Sequence, residues 1–213
     1  MARRQTAFQR SGPRFQAQPT VLVICEDSKS GKNYLEDVKV HFRAQIRVKI
    51  THCGKTDPSG IVSEALLQSK KYDRVFCVID RDEHPNFEQA VAAVPQTSKV
   101  TVIASYPCFE YWLLLHYSYT RKPYLRAGNK SPADCLIDDL KTKPGMEHYA
   151  KGGKSNIFSD LTISRFNSAR LRAAQALNEA LEVGDLNPST RLHELISFIE
   201  QLGTPLPLET KTR

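Results

Sequence analysis

The chain has 213 residues, of which 40% are hydrophobic and 25% are charged. This composition excludes wholesale disorder, and the length suits one well-buried core with an appended lobe better than two independent domains. No apolar run is long enough to cross a membrane. The five cysteines form no CxxC pair, which favours a reducing, cytoplasmic compartment with no disulfide framework and no zinc site.

The positive charge is concentrated in two segments. The formal net charge is +7, which favours a polyanionic partner such as nucleic acid. Residues 1–18 contain four arginines and no acid, and residues 121–154 contain eight basic and four acidic side chains, so each segment carries +4. We interpret residues 1–18 as a flexible basic arm, although an organellar transit peptide would have a similar composition.

The first part of the chain predicts strands that alternate with helices. Helices are expected around Tyr34, from Asp57-Pro58, from Pro85 and from Pro107. This alternation predicts an α/β fold with about four mainly parallel strands flanked by helices. The four predicted strands are TVLVIC (20–25), IRVKIT (46–51), RVFCVID (74–80) and KVTVIAS (99–105).

The strand pattern ends near residue 118. Helices are predicted from Ser131-Pro132, from about Ile157 to Leu181, and after the NPST sequence that begins at Asn187. We therefore predict an α/β core over residues 19–118, a C-terminal helical lobe over 119–203 and a flexible tail over 204–213.

Acidic side chains follow two of the predicted strands. Glu26 and Asp27 follow the first strand, whereas Asp80 and Asp82 lie at the end of the third. Reactive groups in open parallel sheets collect beyond the carboxyl ends of the strands. Alternation along an extended chain would point Asp80 and Asp82 the same way, so both could bind a hard cation such as Mg²⁺. A single acid there would be an ordinary solvated turn residue, but a glutamate together with an aspartate pair favours a metal site.

Two other phosphate-chemistry motifs fit less well. A phosphate-binding P-loop would need Gly at position 26 and Ser or Thr at position 33, where the chain has Glu26 and Asn33. A phosphatase or response regulator would place an aspartate nucleophile directly after the first strand, where this chain has a glutamate. The second interpretation is weakened but stays open.

Basic residues near these acids are candidates for phosphate binding. Lys29 and Lys32 lie beside Glu26, and Lys151 and Lys154 lie with Tyr149 in a glycine-rich segment that could contact nucleic acid. Solvated loops with no ligand are the equally weighted alternative. His116 follows an apolar helix and is expected to be a core histidine.

A glutamate after the first strand and a D-x-D pair after the third resemble the Toprim fold of primases, topoisomerases and related nucleases. A longer match, over roughly residues 14–202, resembles the RloB-like abortive-infection family of bacteria. Four segments carry this resemblance: VLVICEDSKSGKNYLE, VFCVIDRDEH, SYPCFEYWLLLHY and NPSTRLHELI.

The resemblance implies roles for individual residues. Glu26 would be the Toprim glutamate, Asp80 and Asp82 the metal-binding pair, and Glu110 of CFEYW would face the same cleft. The family's first motif reads like C-E-G-x-x-T-E, whereas this chain has Asp27, Ser30 and Gly31 in place of its Gly, Thr and second Glu. The missing second acid raises the question of a complete ligand set.

The resemblance also implies a function. We expect a Mg²⁺- or Mn²⁺-dependent nuclease that acts on RNA, with tRNA as a candidate and with DNA left open. It would serve as an anti-phage abortive-infection effector beside a separate ABC-type ATPase. The alternative is a catalytically inactive subunit that binds nucleic acid or the ATPase. A phosphotransfer enzyme for small phosphate esters is a third, less favoured reading, and the sequence leaves homo-oligomer formation open.

Overall fold

The computed structural model describes residues 19–152, 158 and 163–203. Its sheet has the order β2-β1-β3-β4-β5, in which the first four strands are parallel and β5 runs antiparallel to β4. The α/β prediction is confirmed, and all four predicted strands are present. The strands are β1 (Val21–Cys25), β2 (Val48–His52), β3 (Arg74–Asp80), β4 (Val100–Tyr106) and β5 (Ser189–Thr190).

The apolar, β-branched sequence of β1 explains its central place in the sheet. All five of its residues are buried, and successive side chains point to opposite faces. Val21 and Val23 pack into one core with α1, whereas Leu22 and Ile24 pack into the other with α2 and α3. Three crossover helices therefore cover both faces. They are α1 (Ser30–His41), α2 (Pro58–Gln68) and α3 (Phe87–Ala92).

The later helices pack on the α1 side of the sheet. Buried residues of all four belong to the same hydrophobic core as Val21 and Val23 of β1. The sequence predicted only helices in residues 119–203, but the structure also has the short strand β5 there, which pairs with the end of β4. Two residues are too few to give a strand periodicity in the sequence. The helices are α4 (Glu110–Leu115), α5 (Pro132–Lys141), α6 (Ile163–Val183) and α7 (Leu192–Gly203).

Two helix starts follow the predicted capping chemistry. Asp57 accepts a hydrogen bond from the backbone N–H of Gly60 at 2.7 Å, and Pro58 begins α2. Ser131 and Asp134 form a capping box at the start of α5. Side chains adjacent to the first turn thus satisfy backbone groups that the helix itself leaves without partners.

Some predictions fall on residues that the structure does not describe. The basic arm over residues 1–18, the tail over 204–213, Lys154 and the predicted helix start at 157 lie outside the described residues. Among the helices that are described, none has the length and apolarity needed to cross a membrane.

Candidate functional site

The first two candidate acids meet at the carboxyl ends of neighbouring strands. β1 and β3 pair in parallel with Cys25 opposite Val78, so Glu26 and Asp80 emerge at the same edge. Glu26 Oε2 accepts a hydrogen bond from the backbone N–H of Asp80 at 2.8 Å. The sheet therefore places these two residues side by side, as the strand order leads one to expect.

Glu110, the first residue of α4, is the third acid of this cluster. Its side chain is fully buried, and Oε1 accepts a hydrogen bond from the hydroxyl of Tyr149 at 2.8 Å. Its Oε2 is buried and has no hydrogen-bond partner among the described residues. Burial, followed by the charges of Glu110 and Glu26, raises the pKa of Asp80 well above its usual range. We call Glu26, Asp80 and Glu110 the carboxylate cluster.

Asp82 departs from the geometry that the sequence predicted. β3 ends at Asp80, and Asp82 has a φ of 32°, in the left-handed region rather than an extended conformation. Its backbone N–H donates to the carbonyl of Pro107 at 2.8 Å. The prediction that Asp80 and Asp82 point the same way assumed an extended chain through Asp82, and that assumption is wrong. Asp82 Oδ1 is buried without a partner in the described part of the chain, and its role as a metal ligand stays a prediction.

The altered first motif has a local structural consequence. Asp27 Oδ1 accepts from the N–H of Lys29 at 2.6 Å, and Oδ2 accepts from the N–H of Gly31 at 3.0 Å. Asp27 therefore holds the start of α1. A Cβ atom at position 31 would lie 3.3 Å from Asp27 Oδ2 and 3.4 Å from the ring of Phe109. A side chain at position 31 would therefore crowd the Asp27 carboxylate, so the aspartate at 27 and the glycine at 31 suit each other.

The predicted phosphate-binding lysines lie on both sides of this site. Lys29 is exposed directly before α1, and Lys32 is partly buried in its first turn. Lys151 is close enough to the acids for their charges to act on it. Although its own burial opposes the change, the charges of Glu110 and Asp80 raise the pKa of Lys151 above its usual range. Lys151 thus supplies positive charge to the carboxylate cluster.

A loop closes over the cluster from the end of α5. The backbone N–H of Gly152 donates to Ser30 Oγ at 2.9 Å, which ties the loop to the first turn of α1. Gly152 has a φ of 77°, and a Cβ there would lie 3.0 Å from Cδ of Lys29. Together with the bond from Tyr149 to Glu110, these contacts place the 143–152 loop at the site.

His84 was not singled out from the sequence. Its Nε2 lies 3.1 Å from Glu26 Oε1. Burial raises the pKa of Glu26, while the hydrogen bond from Asp80 and the neighbouring His84 act in the opposite direction. The sequence offered one clue to His84, which is a titratable residue shortly after the acid that ends β3. Its contact with Glu26 could not be read from the sequence, because the two residues are 58 positions apart.

The carboxylate oxygens of this site are of the type that binds a hard cation, although they are not arranged as a complete set of metal ligands. Glu26, Asp27, Asp80 and Lys151 line a cavity of about 50 Å³ together with apolar neighbours. Carboxylate oxygens are preferred Mg²⁺ ligands, and a buried carboxylate oxygen without a partner, such as Glu110 Oε2, can be satisfied by a cation. Within the described ranges, no three Asp, Glu, His or Cys side chains are already grouped as metal ligands.

Comparison with protein families found a match over most of the chain. The model of the RloB-like protein family matches residues 21–199, which include both cluster-bearing strands and the sheet-completing β5. No curated protein and no solved structure matched the chain.

Proposed function

The chain belongs to the RloB-like protein family, and from this premise we propose that it is a Mg²⁺- or Mn²⁺-dependent nuclease with a Toprim-like site. RNA is the proposed substrate class, with tRNA as the first candidate and DNA as the comparison. The carboxylate cluster is the observation that carries this proposal.

The charge balance of the site supports cation binding. Asp80 lies near two other acids in a buried setting, and its raised pKa reflects the cost of holding that charge. Asp80 and Glu110 would hold the cation, with Asp82 as a further candidate. When bound, it would polarise a phosphoryl oxygen and lower the pKa of a coordinated water.

The remaining groups suit proton handling and phosphate positioning. Glu26 pairs with His84 and burial raises its pKa, so Glu26 could take or give a proton at Oε1. Lys29 directly precedes α1 and Lys32 lies in its first turn, where each could hold a phosphate as a point charge. These residues would orient the phosphate beside the cluster.

The sheet supports the Toprim-like assignment. Its four parallel strands have the order β2-β1-β3-β4, and acids follow β1 and β3. We further propose that the nuclease is a cytoplasmic effector of an anti-phage abortive-infection system and works with a separate ABC-type ATPase. The family resemblance supports this part of the proposal.

The decisive experiment replaces Asp80 with Asn. This change keeps the shape of the side chain and removes its charge. Purified wild-type and D80N chains are incubated with total RNA and plasmid DNA, with Mn²⁺ or with EDTA. We expect metal-dependent cleavage by wild type and none by D80N. The exposed Asp37 provides a matched control, since D37N should cleave like wild type.

Stability separates loss of chemistry from loss of fold. Without metal, D80N should unfold at the same temperature as wild type or higher, because the change removes repulsion within the carboxylate cluster. Added Mn²⁺ should raise the unfolding temperature of wild type more than that of D80N. Full nuclease activity in folded D80N would defeat the proposal.

An inactive binding subunit is the second candidate, and two observations favour it. No ready three-ligand group exists in the described part of the chain, and Lys151 already offsets the cluster's charge. A scaffold of this kind would bind nucleic acid without cleaving it. Calorimetric titration with Mn²⁺ distinguishes the two, because only the nuclease requires a divalent site that D80N weakens.

A further inference from the structure

A groove runs along the outer edge of β4, on the opposite side of that strand from β1 and β3. It contains a cavity of about 360 Å³, which is within the ~300–1,000 Å³ range of ligand pockets. The end of α3 with the loop after it forms one wall, and the end of α6 with the residues after it forms the other. We call this the β4 groove; its apolar lining includes Val91, Val94, Val102, Leu177, Leu181 and Leu186.

The floor of the β4 groove is a strand edge that is only partly paired. β5 pairs with β4 at Ser105 and Tyr106 alone. The carbonyls of Lys99 and Ser105 accept hydrogen bonds from the β3 side, so alternation turns the N–H and C=O of Val102 away from β3 and toward the groove. Neither group has a hydrogen-bond partner among the described residues. This edge is therefore able to accept a further strand.

β4 also lacks the usual protection of an exposed edge. Edge strands normally avoid new partners through charged residues, proline or bulges. The sequence of β4, VTVIASY, contains no charged residue and no proline. Beside it, the Leu181 side chain is 56% exposed, and the buried hydroxyl of Ser189 has no partner in the described part of the chain. An extended segment with apolar side chains would cover the leucine and bring backbone groups to this edge.

The rim of the groove on the α6 side is acidic. Glu182 and Asp185 are exposed, and each directly adjoins in sequence a leucine that lines the cavity. Neither acid forms a salt bridge with a described residue. Arg191 also lines the cavity, but it is paired with Glu194 at 3.7 Å. The complementary occupant is therefore a segment that combines basic and apolar side chains.

We propose that residues 1–18 of this chain dock in the β4 groove and pair with β4 as an antiparallel strand. These residues lie outside the described part of the chain, and their sequence has the required chemistry. They include four arginines, no acid, and the aromatic residues Phe8 and Phe15. The stretch QTAFQR (5–10) has Thr6 and Phe8 at alternate positions, which is the pattern of a strand with one covered face.

The point at which the described chain begins brings this segment within reach of the groove. The backbone N–H and the hydroxyl of Thr20 both donate to Asp73 Oδ2 at 2.8 Å, which fixes the residue before β1 beside the start of β3. Because the strands are parallel, β4 begins at the same end of the sheet.

The distance across the sheet is short compared with the segment. From β1 to a position beyond β4 there are three strand spacings, or about 14 Å at ~4.8 Å each. About five extended residues span this distance at ~3.3 Å each, so residues 1–13 remain for the groove. A chain that follows this path runs antiparallel to β4, which is also the direction of β5.

Hydrogen–deuterium exchange of the full-length chain tests the docking, because amides in a paired strand exchange slowly. In wild type, amides of residues 5–10 should exchange at least about tenfold more slowly than in a synthetic peptide of residues 1–18. L181K should abolish this protection, since it removes an apolar contact and adds a positive charge beside a basic segment. Leu171 lies on the same helix, is 74% exposed and does not line the cavity, so L171K is the matched control and should behave like wild type.

A second variant guards against a folding defect in L181K. F8S changes only the docking segment and leaves both walls of the β4 groove intact. It should also abolish protection of residues 5–10, and it should speed exchange of the Val102 amide. Circular dichroism and thermal unfolding verify that each variant is folded, and light scattering over a dilution series gives the mass of the exchanging species.

The outcomes separate this inference from the nuclease proposal, on which it does not rest. Unprotected amides at residues 5–10 in folded wild type would overturn it, as would protection that L181K and F8S leave unchanged. Protection confined to a dimer and lost on dilution would assign the groove to residues 1–18 of a second copy, which also overturns docking within one chain. Cleavage that depends on Asp80 is measured separately, so either proposal can fail while the other stands.

Discussion

His116 is enclosed by aromatic rings at the end of α4 and is 2% exposed. Its Nδ1 lies 2.9 Å from the carbonyl of Trp112, and its Nε2 lies 3.2 Å from the hydroxyl of Tyr34. Because a carbonyl can only accept, Nδ1 carries the proton and Nε2 accepts from Tyr34. Burial lowers the pKa of His116 to about 4, so the ring is neutral at pH 7. The core role expected from its apolar neighbours agrees with these contacts.

This burial predicts a pH dependence of stability. An unfolded histidine has a pKa near ~6.5, so below that pH the unfolded chain binds a proton that folded His116 excludes. Wild type should therefore lose stability as the pH falls from 6.5 to 4, by on the order of 3 kcal/mol from this group.

Urea unfolding of wild type and H116Q across that pH range measures the effect. H116Q lacks the titrating ring, so the difference in free energy of unfolding should change with pH. The exposed His148 gives a control, since H148Q should run parallel to wild type. Parallel curves for wild type and H116Q would contradict the prediction.

At the scale of elements, the 143–152 loop links α5 to the site. It reaches the cluster through Tyr149 and α1 through Gly152. This loop was assigned from sequence as a nucleic-acid contact or a mobile surface segment. The structure instead shows Tyr149 buried, with its hydroxyl bonded to Glu110. The buried Tyr149 therefore fixes the position of the loop relative to Glu110.

Tyr149→Phe tests that coupling. The change removes the donor to Glu110 Oε1, while Oε2 already lacks a partner among the described residues. Leaving a buried acceptor unsatisfied costs about 1–3 kcal/mol, so Y149F should lower the free energy of unfolding by that amount.

Denaturant unfolding measures this loss, and limited proteolysis should show faster cutting within residues 143–152. Tyr72→Phe is the matched control. The Tyr72 hydroxyl forms no hydrogen bond with the residues that the structure describes, so Y72F should leave the free energy of unfolding nearly unchanged. Equal stability of Y149F and Y72F would mean that the bond to Glu110 does not anchor the loop.

At the scale of the whole molecule, the C-terminal helices complete the α/β core. β5 pairs with β4 through Ser105 and Tyr106, and the hydroxyls of Ser105 and Thr190 lie 2.9 Å apart. Residues of α7 join the core that contains β1. The segment that was expected as a lobe therefore shares its hydrophobic interior with the strands that carry the site.

The concentration of charge gives a prediction at this scale. Deleting residues 1–18 removes +4 of the +7 net charge. If the arm contacts phosphate, the deletion should reduce the salt slope of single-stranded RNA binding by up to ~0.7 for each of its four arginines. Anisotropy titrations at several salt concentrations measure the slope. K70Q/K71Q, which removes two charges from an exposed turn, controls for the loss of positive charge away from the arm. An unchanged slope would exclude the arm from binding.

The sequence alone determined the parts of the protein that depend on local patterns. Apolar β-branched runs predicted β1 to β4, and Asp57 and Ser131 predicted helix starts. Acids at the carboxyl ends of two parallel strands predicted that Glu26 and Asp80 would share a site. These features follow from periodicity, capping and the parallel geometry of crossovers, which need few long-range contacts.

Only the tertiary structure decided which groups share the site. His84 meets Glu26 across 58 residues and Tyr149 meets Glu110 across 39, and no local pattern records either contact. The left-handed backbone of Asp82 likewise depends on its bond to Pro107 at the end of β4, so strand alternation could not predict it. Position in a folded site is set by packing between distant segments, whereas element type is set by neighbours in sequence.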